Sequence, residues 1–274
     1  MKRIAVINDL SGFGRCSLSA ALPIISVMGH EACPLPTAVL SNQTGYESYY
    51  CDDYTDKMSF FNEQWKKICP VFDAIYSGYI ANEKQVDYIS SFIESFSDET
   101  TILLVDPVMG DDGKLYDSHN TAICEGIKTL VKKSNVICPN LTELCILTGR
   151  DYSSISQMRK ERILEEIKDM SSSLISDKLR LVITTGIIND NMISSTIYSE
   201  GKFEEISNER IGESFSGTGD IFASIVVSSL LSGFDPYDAV KKATDFISMS
   251  LTETLKHEYD RNDGIDFQKF LKRL

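Results

Sequence analysis

The chain has 274 residues, 42% of them hydrophobic and 24% charged, which is enough to bury a sizeable core and too apolar for a disordered segment. Its 27 Lys and Arg stand against 40 Asp and Glu, a net charge of −13 that repels phosphate backbones and anionic lipid headgroups, so neither nucleic acid nor a membrane is an expected partner. With three histidines, none paired at helical spacing, and no Cys-x-x-Cys, zinc chemistry is set aside.

Seven cysteines (16, 33, 51, 69, 124, 138 and 145) are scattered through apolar or mixed segments, a pattern that predicts buried thiols in a reducing cytoplasm. The basic start MKRIAVINDL has an apolar run of only four residues, 4–7, before Asn8 and Asp9, so no secretory leader is expected. No stretch approaches the roughly 18 apolar residues of a membrane span.

In chain order, the run at 4–7 reads as a strand and 18–28 as a helix. Residues 37–56 carry Tyr, Thr and Asn with little periodicity and read as a flap over a substrate. Strands at 74–77, 101–106, 135–138 and 179–185 alternate with helical segments at 83–96, 120–132, from 141, and 156–173. Strands apolar on both faces predict a mostly parallel sheet covered by helices on each side. Residues 192–198 and 202–206 flank a Ser-Glu-Gly turn and predict an antiparallel hairpin at the sheet's edge. The turn GESFSGTG (212–219) then opens a helix through 231, and Asp235-Pro236 opens another. Without linker, low-complexity tract or repeat, 1–274 reads as a single domain. Phe60, Phe61 and Trp65 are expected in the core, and the charged run 160–168 on a solvated helix face.

In parallel α/β sheets, ligands bind beyond the carboxyl ends of the strands. The residues following the apolar runs are Asn8-Asp9-Leu10-Ser11-Gly12, Ser77-Gly78-Tyr79, Asp106-Pro107, Pro139-Asn140 and Thr184-Thr185-Gly186. Carboxylates, amides and hydroxyls with few histidines suit Mg²⁺ and phosphate better than acyl transfer. The strongest element is Ser216-Gly217-Thr218-Gly219-Asp220, whose glycines expose successive amides at a helix N-terminus and form an anion cradle. Asp220 in that first turn is placed to take a proton from an alcohol during phosphoryl transfer, although an acidic residue also simply favours a helix N-terminus. Asp106–Gly113 (DPVMGDDG) offers Asp106 and Asp111 to a metal–nucleotide, or forms an acidic turn. Asn140 and Glu143 read equally as polar ligands or as a plain capping box. Neither a P-loop, nor G-x-G-x-x-G, nor the protein-kinase signatures occur.

Together, SGTGDIFA, DPVMGDDGKLY, ICPNLTEL and SNQTGY resemble the pyridoxal/pyridoxamine kinases of the ribokinase superfamily, over residues 8 to about 231. The resemblance implies a ribokinase-like three-layer α/β/α sandwich and ATP-dependent phosphorylation of the 5′-hydroxymethyl group of a vitamin B6 vitamer. It implies Asp220 as general base and the amides of Gly217, Thr218 and Gly219 as anion hole. Asp106, Asn140 and Glu143 fall at metal–phosphate positions, with Asp106 and Glu143 (the latter through water) toward the metal; Asp111 lies in the nucleotide-side loop and Thr184 at a phosphate or nucleotide contact. Thr44, Tyr79 and Tyr116 match substrate-side positions, beside Asp9 and Ser11. Mg²⁺ with ATP, K⁺ and a homodimer are further implications. The chain departs from those kinases at Asp9, where they carry Ser, and at Gln43, where they carry His. Its Asp-x-Ser-Gly (9–12) instead resembles hydroxymethylpyrimidine kinases of thiamine synthesis, which often carry Cys where this chain has Asp220. The alternatives are therefore a pyrimidine kinase and a vitamer-binding protein without turnover.

Overall fold

Strand β1 (Arg3–Ser11) extends the apolar run at 4–7, and Ile4, Ala5, Val6, Ile7 and Asn8 are all completely buried in the computed structural model, which describes residues 1–68 and 70–274. Helix α1 (Ser17–Val27) follows, then β2 (Glu31–Leu40), β3 (Cys51–Asp53), α2 (Thr55–Ile68), β4 (Ala74–Ser77) and α3 (Gln85–Phe96). Contacts divide the chain into two units, Met1–Ile102 with Ile211–Leu274, and Leu103–Arg210.

In the first unit the strand order is β4-β1-β2-β3, with β1 parallel to both neighbours and β3 antiparallel to β2. The β1–β2 register shifts between Asn8 and Leu10. Such a bulge twists a strand and re-aims its side chains, here at the polar end of β1. The unit closes with α8 (Thr218–Leu231) and α9 (Pro236–Thr254), numbered after the helices of the second unit, and two short 3-10 turns, Arg261–Asp263 and Gln268–Arg273. Asp235 caps α9 by accepting from Asp238 N, with Pro236 in the first turn, as the sequence predicts.

The second unit holds β5 (Ile102–Val105, which starts at the boundary), β6 (Gly110–Asp111), β7 (Lys114–Leu115), α4 (Thr121–Lys133), β8 (Val136–Ile137), α5 (Leu141–Thr148), α6 (Tyr152–Ile155), α7 (Lys160–Leu174), β9 (Leu181–Asn189), β10 (Met192–Ser199) and β11 (Lys202–Glu209). Strands β5, β8 and β9 are parallel, whereas β9, β10 and β11 are antiparallel. The β10–β11 hairpin turns at Glu200 and Gly201, both with positive φ, the geometry that matches strand twist. The architecture is the expected three-layer α/β/α sandwich with a mostly parallel sheet and an antiparallel edge hairpin. Among the described residues, no helix is long and apolar enough to cross a membrane.

Three expectations need correction. The stretch 37–56 is mostly ordered structure: β2 runs to Leu40, β3 and α2 take residues 51–53 and 55 onward, and only 41–50 is irregular. Pro34 and Pro36 hide β2 from sequence reading, yet they lie two positions apart and β3 pairs with β2 only at Ala38–Leu40, so a strand with a partly open edge tolerates them. Phe60 is exposed rather than in the core, while Trp65 packs edge-on against Phe61 and Phe92. Four cysteines are buried, Cys33 is half-buried and Cys51 is exposed on the edge strand β3; Cys69 lies outside the described residues.

Candidate active site

The first unit gathers its polar residues at the end of β1. Gly217 caps α8 with φ 81°, and a Cβ there would lie 2.1 Å from the Arg15 carbonyl oxygen, so only glycine fits. This turn presents Asp220 in the first turn of α8. Oδ1 of Asp220 accepts from Asn8 Nδ2 at 2.8 Å and from the Tyr76 hydroxyl at 3.4 Å, and Oδ2 accepts from the Ser17 amide at 2.8 Å. Burial pushes the Asp220 carboxyl above the ordinary carboxylate range, and these three donors pull it back.

Asp9 is buried one position beyond Asn8, and its Oδ2 accepts from the Ser11 hydroxyl at 2.9 Å. Burial first, and then the charge of Asp220, raises its pKa to about 6, against hydrogen bonds from Ser17 and Ser11 that lower it. The Cys16 thiol beside both carboxylates is pushed up to about 12, chiefly by burial, and stays neutral. Tyr79 joins the cluster through its amide, which donates to Asn8 Oδ1 at 2.9 Å.

Thr44 stands exposed in the turn after β2, whose anchor is its neighbour Gln43. Gln43 Nε2 donates to Asn262 Oδ1 at 2.9 Å and its Oε1 accepts from Gly45 N at 2.7 Å, so its amide is spent on the loop itself. The same 3-10 turn receives the Tyr46 hydroxyl on Asp263, the Arg15 amide on the Asp263 carbonyl at 3.0 Å, and the Ser216 amide on the Arg261 carbonyl at 3.0 Å. One late segment thus ties the flap, the loop after β1 and the glycine turn together.

The second unit builds its polar cluster on the N-terminus of α5. Asn140 and Glu143 form a complete capping box. Glu143 Oε2 accepts from Asn140 N at 2.8 Å and Oε1 from Met109 N at 3.0 Å, while Asn140 Nδ2 donates to the Gly110 carbonyl at 2.8 Å and the Thr142 hydroxyl accepts from Gly113 N at 2.9 Å. These bonds hold the segment from Met109 to Gly113, including the β6–β7 hairpin. Burial pushes Glu143 up to about 8 against its backbone donors, with Asp111 adding repulsion. Asp106 is buried at the end of β5; burial raises the Cys138 thiol, and the charges of Asp106 and Glu143 add to it. Asp111 is exposed on β6, and Tyr116 is 40% exposed with its ring edge-on to His119. Thr184 is completely buried in β9 with an unpartnered hydroxyl, whereas Thr185 is half-exposed and bonds the Pro139 carbonyl through its amide. A cavity of about 460 Å³ lined by Gly113, Thr142, Arg150 and Tyr152 contains none of the expected site residues.

Sequence reading placed Asn8 among the strand-end polar residues without a task of its own, and gave no role to Ser17, Tyr76, Asn262 or Asp263. Asn8 carried a usable signal, a buried polar residue at a strand's carboxyl end. Ser17 reaches Asp220 through its main chain, which no residue type announces, while its side chain bears on Asp9.

This fold, with a carboxylate at a glycine-capped helix start and a second cluster of capped carboxylates, defines an ATP-dependent kinase of the ribokinase superfamily acting on a small hydroxymethyl-bearing metabolite. The chain belongs to the phosphomethylpyrimidine kinase family, whose profile matches residues 16–264. It is 25% identical to a pyridoxal kinase of Aliivibrio fischeri, covering 93% of this chain and 90% of that protein. A hydroxymethylpyrimidine/phosphomethylpyrimidine kinase of Aquifex aeolicus is 26% identical over 70% of this chain and 71% of its own. Among solved structures, a Bacteroides thetaiotaomicron protein provisionally described as a phosphomethylpyrimidine kinase and crystallised with pyridoxal matches at a TM-score of 0.93 and 36% identity, over 99% of this chain and 95% of its own. The pyridoxal kinase of Lactobacillus plantarum matches at 0.89 and 26%, over 100% and 96%.

Proposed function

We propose that this chain, with 1–274 acting as one kinase domain, transfers the γ-phosphoryl group of ATP to the 5′-hydroxymethyl group of a vitamin B6 vitamer in a cytoplasmic salvage reaction. The observation that carries the chemistry is Asp220 held by Asn8, Tyr76 and Ser17 at the start of α8. The alcohol proton passes to Asp220, the alcohol oxygen bonds phosphorus, and the bridging oxygen leaves with ADP. The first amides of a helix lack intrahelical acceptors, so those of Gly217, Thr218 and Gly219 meet charge spreading onto the transferring oxygens. Asp9, Ser11, Thr44, Tyr79 and Tyr116 serve the vitamer, and Asp111 and Thr184 the nucleotide. The pyridine reading is supported by likeness over nearly the whole chain to pyridoxal kinases, against 70% for the Aquifex aeolicus pyrimidine kinase, and by the pyridoxal crystallised with the Bacteroides protein, whose own description points to a pyrimidine.

The donor set suits Mg²⁺ carried by ATP, which takes one or two carboxylates and keeps phosphate and water for the rest. Asp106 would hold the ion directly. Glu143, with both oxygens on backbone amides, would hold it through water. The ion, when bound, neutralises charge on the phosphoryl group. A requirement for K⁺ and a homodimeric state complete the proposal.

A second reading, hydroxymethylpyrimidine phosphorylation, is favoured by the buried Asp9 bonded to Ser11 within Asp-x-Ser-Gly and by the family's own description. A coupled assay for ADP with Mg-ATP and pyridoxal, pyridoxamine, pyridoxine or hydroxymethylpyrimidine separates the readings. Turnover with a B6 vitamer is expected. Turnover with the pyrimidine alone replaces the substrate, and tight vitamer binding without ADP release replaces the enzyme with a sensor.

A further inference from the structure

The three donors on Asp220 are unevenly shared. Oδ1 receives both Asn8 Nδ2 and the Tyr76 hydroxyl, and Oδ2 receives the Ser17 amide alone, which leaves one lone pair on Oδ2. The direction of the Asn8 amide is settled by its other end. Its Oδ1 accepts from two main-chain amides, Asp9 at 3.0 Å and Tyr79 at 2.9 Å, so the end facing Asp220 must be the donor. Nothing lets this side chain swing away: Asn8 is completely buried, and a Cβ on Gly78 would lie 2.6 Å from its Nδ2.

We propose that Asn8 is a positioning residue for phosphoryl transfer: its amide clamps Oδ1 of Asp220, so that Oδ2 is the oxygen that takes the alcohol proton. The inference rests on the kinase reading above and assigns the two oxygens different tasks. Asn8 also supplies a donor where the surroundings otherwise disfavour charge. The titratable groups facing Asp220 are Asp9 from β1, Cys16 at the cap of α1 and Tyr76 from β4, and of these only Asp9 carries charge, of the same sign. Without the Asn8 donor, the carboxylate faces that repulsion with two donors in place of three.

Asn8→Asp tests the clamp with almost no change of shape, because it keeps the acceptor for Asp9 and Tyr79 and turns the donor toward Asp220 into an acceptor. Expected is a fall in kcat at pH 7 of at least about 10-fold, with KM for ATP within about 2-fold of the parent. The acidic limb of the kcat–pH profile should move up by about one unit or more, and activity should recover as pH rises, since two carboxylates at contact cannot both ionise at the ordinary pH. An unchanged profile, or a loss constant across pH, overturns the proposal. A measurement on the unmodified protein guards against misfolding of the variant: the side-chain amide ¹⁵N signal of Asn8 should titrate with Asp220, and that titration should vanish in Asp220→Asn. A signal that does not titrate overturns the proposal whatever the activity. Absence of ADP release by the unmodified protein with every alcohol tested would instead remove the kinase reading.

Discussion

Replacing Gly217 by alanine probes whether the glycine turn fixes Asp220, the proposed base. The added Cβ meets the Arg15 carbonyl oxygen at 2.1 Å and Cys16 Cα at 2.9 Å, both main-chain atoms with no rotamer to escape into. Relief therefore requires Arg15 and Cys16 to retreat by about 1 Å, an overpacking that typically costs 1–3 kcal/mol. A positive φ adds about 1–2 kcal/mol for any L residue, giving a total of about 2–5 kcal/mol. The next residue, Ser17, donates its amide to Asp220 Oδ2, so the retreat also moves the proposed base. Misplacement by about 1 Å can cost 10²-fold in rate. Gly233→Ala is the control: φ is 91° there, but no atom lies within 4 Å of the new Cβ, so only the backbone cost of about 1–2 kcal/mol applies and kcat stays within about 2-fold. Urea unfolding and the coupled ADP assay read both quantities. A Gly217→Ala protein no less stable than Gly233→Ala, or one that keeps its kcat, would refute the steric argument.

Asp220→Asn should lower kcat by at least about 10²-fold while the KM for ATP stays nearly unchanged, as steady-state kinetics will show. Asp9 has a folded-state pKa of about 6 against 3.8 unfolded, so the folded protein binds the extra proton and stability falls as pH rises through that window. Asp9→Asn should flatten this fall and gain up to about 3 kcal/mol at pH 7 in urea titrations run from pH 4 to 7; parallel curves for the two proteins would contradict the assignment. A carboxylate at Asp9 favours a substrate bearing an amine, so Asp9→Ser should change the ratio of kcat/KM for pyridoxamine to that for pyridoxal, and an unaltered ratio removes that role. Glu143→Gln places an NH₂ group against either the Met109 or the Asn140 amide, because both carboxylate oxygens accept. A loss of about 1–3 kcal/mol in thermal or urea unfolding is expected, and none would mean that the capping box does not hold the 109–113 segment.

The alternation of apolar strands and amphipathic helices was legible because burial imposes the period, and the β10–β11 hairpin because its turn needs positive φ at Glu200 and Gly201. Strand β2 was not, since Pro34 and Pro36 break strand propensity and only the partly open edge of a real sheet excuses them. Asp220 stood out through its glycine neighbours. Its partners did not: Ser17 reaches it through a backbone amide, Tyr76 sits inside an apolar strand, and Asn8 gains its meaning only when a residue 212 positions away arrives beside it. Glu143 shows the converse, a pair that reads equally as cap or ligand from spacing and whose capping bonds become visible only in coordinates.

The turn at Arg261–Asp263 has a bearing on how the protein is born. Gln43, Tyr46, Arg15 and Ser216 all wait on partners translated after most of the polypeptide. A nascent chain that has emerged only through α8 therefore owns Asp220 but not the strut that steadies the 41–50 loop, and such distant closures are slow to form. Ligand affinity should consequently switch on late during synthesis, which leaves the half-made kinase unable to sequester its substrate.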